Sequence, residues 1–288
     1  MQHFAALHGV SACTLYLWRR RLAAADSVAL TGSTRLVAVD VIGALEPCVV
    51  FDFALDRGHE HVLDYLGPQI SGYLVGDGYS GYGTIAKKRP GIIEAGCGAR
   101  ALRKCREALK ESPAGAAELL ALVRTLFRIE VQAAEQNLDA DGVKVARQMQ
   151  SRPVLERLRE RVHALRGWQA ELSQQSALYE ALVYIENQWE ALNAFLEDGR
   201  VPIHNNSCER AIRPVAVGRK NWLFAGSERG GRAAATVYSL IESCRRVGVD
   251  PFEYLRDVLV RVATHPSARV DELAPDRWAK LFGSLRAG

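Results

Sequence analysis

From about residue 99 to residue 200 the chain carries helical periodicity and almost no strand signal, and no other feature restricts its fold as much. The segments ALRKCREALKES, AAELLALVRTLFRIEVQAAEQ, SRPVLERLRERVHALRGWQAELS and ALYEALVYIENQWEALNAFLEDG repeat apolar residues at i, i+3, i+4 and i+7, which gathers them on one helix face. DADG at 139–142 and Arg152-Pro153 are expected to interrupt these helices. Heptads are not sustained long enough for a coiled coil, so the block reads as an all-α insertion or arm. The preceding stretch has another rhythm. Over about residues 35–96, RLVAVDVIG, CVVFDFAL, SGYLVGD and GIIEAGC read as strands, Gly43 to Pro47 as a hairpin connection, and GHEHVLDYLG as a helix. Strands alternating with helices predict an α/β sheet.

Composition narrows the class. A chain of 288 residues allows one or two domains, and 48% apolar with 24% charged residues excludes disorder over most of it. No apolar run approaches the ~20 residues of a membrane span. The start, MQHFAALHGV, has neither the basic nor the long apolar region of a signal peptide. The six cysteines (Cys13, Cys48, Cys97, Cys105, Cys208 and Cys244) form no Cys-x-x-Cys pair, so a zinc ribbon is not expected. Scattered in this way, they are expected to be reduced thiols in a cytoplasmic protein. Lys and Arg total 37 against 33 acids, a net charge of +4, which permits nucleic acid as a partner without demanding it. The preference for Arg over Lys suits bidentate phosphate contacts, but a GC-rich genome gives the same bias.

At the amino-terminal end, Phe4, Leu7 and His8 run into Gly9. Ser11 can then cap a helix in which Leu15, Trp18 and Leu22 recur at helical spacing. Tyr16, Arg19, Arg20 and Arg21 fall largely on its other faces. The outline fits a helix-turn-helix, and equally an amphipathic hairpin with a solvated Arg face.

Two acids stand out further along. Asp77 closes the apolar strand in LVGDGYSGY, where Gly78 allows a sharp exit. Active sites of open α/β sheets lie beyond the carboxyl ends of strands, so Asp77 is a candidate metal ligand; the alternative is an Asx turn or helix cap. Glu209 lies in IHNNSCERAIRP. Asn206 and Glu209 match a capping box, and Arg213 stands four residues on, where it can pair with Glu209. The functional alternative projects Glu209 from the first helical turn toward Asp77, giving two hard oxygen ligands for Mg²⁺. Next, Arg219, Lys220, Asn221, Trp222 and Phe224 interleave cations and rings, as a nucleic-acid groove does, or as a tight loop with buried aromatics does. Gly230-Gly231 is expected to precede a helix whose apolar stripe is Val237, Leu240, Ile241, Cys244 and Val247. Such a turn can offer N–H groups to phosphate, although no Gly-Lys-Ser/Thr follows. Asp250-Pro251 opens another helix as cap and N1, a structural role. His59 and His61 point to different faces, His163 reads as a helix-surface residue, and His204 as a loop histidine.

The stretch NNSCERAIRPVAVGRKNWLFAGSERGGRAAATVYSLIESCRRVGVDPFEYLRDVL closely resembles the carboxyl-terminal signature of the bacterial insertion sequence 66 transposase family. FDFALDRGHEHVLDYLG followed by GYLVGDGYSGY is similar to that family's segment around its second catalytic aspartate, and the likeness covers roughly residues 50–275. It implies an α/β, RNase H-like (DDE) core interrupted by a long all-α insertion. Residues 33–98 and 201–264 would be the two parts of the core, 99–200 the insertion, 1–25 a partial helix-turn-helix and 265–288 a tail. Three carboxylates would hold two Mg²⁺ ions, or Mn²⁺ in their place: Asp77 matches the second acid and Glu209 the glutamate after the insertion. The implied reaction is cleavage at transposon ends, followed by attack of the freed 3′-OH on target DNA. Arg213, Arg219, Lys220 and Trp222 would contact DNA, as would Arg19 and Arg20. The implied partners are the inverted repeats and the target duplex, further copies of the chain and accessory transposition proteins, with no membrane.

The sequence also departs from the family. The first aspartate, in an Asp-Glu-Thr context upstream, has no counterpart; Asp40 on RLVAVD is its positional substitute, with Asp52 the second candidate. The Cys-Trp-Ala-His-like stretch reads GCGARALRKC, with Gly98 and Arg100 where Trp and His would stand. VSACTLYLWRRRL resembles the helix-turn-helix of the small accessory protein encoded beside these transposases. A fusion is therefore expected, of a truncated accessory protein with a transposase lacking its first strands. Its activity is either DNA cleavage and strand transfer or, alternatively, the DNA binding of a non-catalytic remnant.

Overall fold

The computed structural model describes residues 35–41, 48–54, 59–67, 71–167, 176–222 and 227–283. The helix-turn-helix expected over 1–25, with Arg19 and Arg20, lies outside them, as does the Gly43 to Pro47 connection. The chain forms two compact units, one from Met1–Arg57 with Ser207–Gly288 and one from Gly58–Asn206. The described chain is predominantly helical. Its strands form two separate two-stranded sheets rather than one α/β sheet.

In the unit Gly58–Asn206, β3 (Gly72–Val75) and β4 (Ile92–Ala95) pair in parallel, with Gly72 opposite Ile92 and Val75 opposite Ala95. Helices α1 (His59–Leu66) and α2 (Ser80–Lys88) accompany them, and Val62, Ile85 and Ile92 share a small core. The helical block follows as α3 (Gly98–Glu111), α4 (Pro113–Glu135), α5 (Ala140–Ala146), α6 (Arg152–Gly167), α7 (Ala177–Asn187) and α8 (Trp189–Asn193). Its apolar stripes meet as the periodicity requires: Leu119, Leu120, Val123 and Leu126 of α4 pack with Leu155, Leu158 and Val162 of α6 and with Leu178, Leu182 and Ile185 of α7. Helix starts are fixed locally. Asp139 accepts a 2.8 Å hydrogen bond from the Gly142 N–H, and Ser176 accepts one of 3.2 Å from Tyr179.

Arg152-Pro153 does not break the chain's helical course. Residues Arg147–Ser151 form a π-helical turn that runs straight into α6, with the Arg152 N–H donating to the Arg147 carbonyl. Pro153, the second residue of α6, has no N–H to give to the preceding turn, and the helical course continues past it without that bond. Buried Arg147 secures this turn. It donates to both oxygens of Glu130 (2.8 and 2.6 Å) and to the carbonyls of Phe195 and Asp198 (2.8 and 2.9 Å).

In the other unit, β1 (Arg35–Val41) and β2 (Cys48–Ala54) form the expected antiparallel pair, Asp40 standing opposite Val49. Three helices follow: α9 (Asn206–Trp222), α10 (Glu228–Arg246) and α11 (Pro251–Arg261). Gly230-Gly231 does not precede α10. Ser227 caps that helix, accepting from the Gly230 N–H at 3.0 Å, so the doublet lies in the first turn and that donor is already used. A Cβ on Gly231 would overlap the Phe53 ring, which makes this glycine a packing residue. The expected stripe is the buried face only in part: Cys244 is buried and Leu240 packs beside it, but Val237 is exposed and the buried positions nearer the start are Gly231, Ala235, Ser239 and Ser243. Asp250 caps α11 as expected, accepting from Glu253 at 2.9 Å. The segment read as a polar tail is folded: a 3₁₀ turn (Ser267–Leu273) and α12 (Pro275–Leu281) bring Leu273 and Trp278 against Cys244, Tyr254 and Val258. Trp278 donates its indole N–H to Asp257 at 2.7 Å.

Candidate functional site

Asp77 follows β3 by two residues, at the carboxyl end of the parallel pair. Gly78 has φ +80°, a left-handed conformation that turns the chain away at once, and a Cβ there would stand 3.1 Å from the Tyr184 ring. Asp77 caps nothing: the N-cap of α2 is Tyr79, without a side-chain bond. Its carboxylate instead accepts a hydrogen bond from Arg100, Nη1 to Oδ2, at 2.9 Å. Arg100 is the third residue of α3, and its guanidinium also lies 5.9 Å from the centroid of the Tyr184 ring. The Tyr184 hydroxyl donates to the Cys97 carbonyl at 3.3 Å. Burial pushes the affinity of that hydroxyl for its proton well above the ordinary tyrosine value. Two buried polar atoms nearby, Arg100 Nε and Gln188 Oε1, have no hydrogen-bond partner among the described residues.

Cys97 gathers the end of this unit. Its sulfur accepts from the Asn205 N–H at 3.4 Å, and the next residue, Gly98, donates its N–H to the Ile203 carbonyl at 2.9 Å. The His204 ring stacks on Phe127, 6.0 Å between centroids, and its Nδ1 accepts from the Asn206 N–H at 3.4 Å. His204 is thus a structural loop histidine. From this anchored loop α9 departs.

Because α9 begins at Asn206, Asn206 is its first helical residue rather than its N-cap, and Glu209 stands one position past the place a capping box needs. Glu209 is exposed in the first turn, where its negative charge favours the helix dipole. The expected pair with Arg213 is not formed: within its own unit, among the described residues, Glu209 carries no ion pair. Ala211 and Val215 face the core, whereas Arg210, Arg213 and Val217 are exposed. The run Arg219-Lys220-Asn221-Trp222 is not a loop; its backbone completes α9. Lys220 occupies the position seven residues after Arg213, on the same helix face. The side chains of Arg219, Lys220 and Trp222, and that of Asp40, lie outside the described residues. Asp52 is half-buried on β2, and His163 is exposed on α6 as expected.

Sequence reasoning singled out Asp77 but missed its partner. The available signal was Arg100 itself, a cation where the resemblance leads one to expect a histidine. The pairing also bears on the Mg²⁺ implied by the resemblance. Asp77 already meets a cation at 2.9 Å. Within each unit, among the described residues, no three His, Cys, Asp or Glu side chains are grouped as metal ligands. Among the described residues of this unit, Asp77, with its Oδ2 held by a guanidinium, does not make a divalent-ion site.

The comparisons with known proteins place the chain. The model described as Transposase IS66 family matches residues 33–233, and that described as IS66 C-terminal element matches residues 239–275. The chain belongs to the IS66 transposase family. It is similar to three Sinorhizobium fredii proteins that bear the names Uncharacterized protein y4hP, y4jD and y4qI. Identity to y4hP is 36% over 83% of this chain and 45% of that protein. For y4jD it is 33% over 82% and 47%, and for y4qI 36% over 81% and 44%. The chain therefore spans somewhat under half the length of the curated relatives it matches. No solved structure matches. Among the described residues, no helix is long and apolar enough to cross a membrane.

Proposed function

We propose that this chain engages double-stranded DNA as part of an insertion-sequence transposase, and that it holds DNA without cutting it. The observation that carries the reading is the exposure of Arg210 and Arg213 in the first two turns of α9, a helix whose sequence continues with Arg219 and Lys220, inside the segment matched to the family. Guanidinium and ammonium groups there suit phosphate contacts, which position a duplex without reading its sequence. The RNase H-like core belongs to the same proposal. Its support is the β3–α2–β4 order, then the helical block, then the helix bearing Glu209. Self-association across paired ends and accessory transposition proteins follow by family analogy alone.

A second reading is Mg²⁺-dependent strand cleavage and 3′-OH transfer by Asp77, Glu209 and Asp40. The exposed position of Glu209 and the place of Asp77 beyond a strand end favour it; the Arg100 pair opposes it. One experiment separates the two. A labelled duplex carrying a transposon inverted repeat is titrated with the chain at several salt concentrations, then incubated with Mg²⁺. The expected result is binding that weakens as salt rises, a salt slope reduced by about one in Arg213→Ala, and no nicked product. Absence of binding at low salt ends the DNA reading. Mg²⁺-dependent nicking that disappears in Asp77→Asn establishes the second.

A further inference from the structure

The environment of Asp77 is more specific than a surface ion pair requires. Arg100 sits in the first turn of α3, a turn that contains no acidic residue. The partial positive charge of a helix N-terminus makes that a poor place for a cation unless an anion stands beside it. Asp77 supplies the anion, at 2.9 Å. The guanidinium is restrained from a second side by the Tyr184 ring, and its Nε is buried and unpartnered. The carboxylate is restrained too, since Gly78 turns the backbone against the same ring. The strand-end acid, the helix-start cation and the ring thus form one interlocked group.

We infer that Arg100 is a built-in counter-cation that occupies the Asp77 carboxylate and keeps divalent ions from it. A divalent ion approaching Asp77 meets a fixed positive charge, the positive end of α3 and an oxygen already bonded. To take both carboxylate oxygens it must displace the guanidinium, which would then remain in the first turn of a helix with no carboxylate beside it, and at Oδ1 alone it stands close to that positive charge. The inference rests on the reading of Asp77 as the acid of a transposase metal site, and it explains why this chain is expected to hold DNA intact.

The test uses Mn²⁺ alone, with no DNA, so its failure is distinct from a failure of DNA binding. Free Mn²⁺ is counted by electron paramagnetic resonance during titration of the wild-type chain, Arg100→Gln, and Arg100→Gln combined with Asp77→Asn. Thermal unfolding without metal checks that each variant is folded. The expected result is weak binding by the wild type and a gain of about fivefold to tenfold in Arg100→Gln, as releasing a half-exposed ion pair allows. The gain should vanish in the double variant. A second measurement needs no variant: Mn²⁺ added to the wild type should not selectively broaden the amide resonances of Gly76 and Gly78. Selective broadening there, or no gain in folded Arg100→Gln, overturns the inference.

Discussion

The two units differ in how most of their helices meet a neighbour. In Gly58–Asn206, α4, α6 and α7 meet through large aliphatic side chains, with Leu119, Leu182 and Ile185 fully buried, and only α3 joins that core through small ones, Ala101, Cys105 and Ala108. In the other unit, α10 meets β2 through almost nothing: Gly231, Ala235, Ser239 and Ser243 recur every four residues along the contact. Small residues let the helix axis come close enough for hydroxyls to reach backbone. Ser239 accepts from the Phe51 N–H at 2.8 Å, and Ser243 from the Val49 N–H at 3.1 Å. Ser243 also donates back to the Val49 carbonyl at 3.1 Å, whereas Ser239 donates within its own helix, to the Ala235 carbonyl at 2.6 Å. At Val49 and Phe51 the β2 edge facing away from β1 therefore has its N–H groups satisfied by a helix instead of a strand. The bundle is held by volume and the seam by proximity.

Deletion should hurt the bundle most. Leu182→Ala is expected to lower stability by about 2–5 kcal/mol, the cost of lost burial plus a cavity, measured by urea unfolding. A loss under about 1 kcal/mol would mean the bundle collapses around the gap. In the seam the vulnerable element is a hydrogen bond. Ser239→Ala removes few atoms but strips the Phe51 N–H of its acceptor, and about 1–3 kcal/mol is expected for that buried donor. A neutral result would show that the seam does not depend on its hydroxyls. The smallest effect should be shared. Burial pushes the thiols of Cys105, in the bundle, and Cys244, in the core beside the seam, up to about 12 from 9.0. Their stabilising protons are present in full below pH 9 and are lost as pH rises toward 12, because the unfolded chain releases them first. Unfolding midpoints should therefore fall between roughly pH 9 and 11, and fall less in Cys105→Ala. Equal slopes would contradict the assignment for Cys105.

Much of this architecture could be read from residues, because periodicity reports which side of an element is buried. The four strands and the four long helices of the block are where the alternation and the i, i+3, i+4 pattern place them, whereas α5, the π turn and the break between α7 and α8 were not foreseen. The α10 seam was not legible. A hydrophobicity pattern selects Val237 and Leu240, whereas close approach selects glycine, alanine and serine. The Ser227 cap was hidden for a related reason: the glycine doublet is the louder signal, though a Ser three residues before Gly230 starts the helix. The tail was underestimated because its apolar anchors are few, Leu273 just before Pro275 and Trp278 just after it. At the site, Asp77 was visible from its place after an apolar strand. Its pairing with Arg100 spans 23 positions and depends on α3 beginning beside β3, which no local pattern encodes. The neighbouring Asn205 and Asn206 are equally good caps by type, so sequence missed the start of α9 by one residue and placed Glu209 inside a capping box it does not make.

The knot of bonds at Cys97 has a wider meaning. Residues 97 and 205 are 108 positions apart, yet sulfur and amide meet there at 3.4 Å. Everything between them is an excursion that returns to its own doorstep. A lobe closed in this way can change in length at its far end without moving the points where it is grafted, so long as Gly98 still greets Ile203.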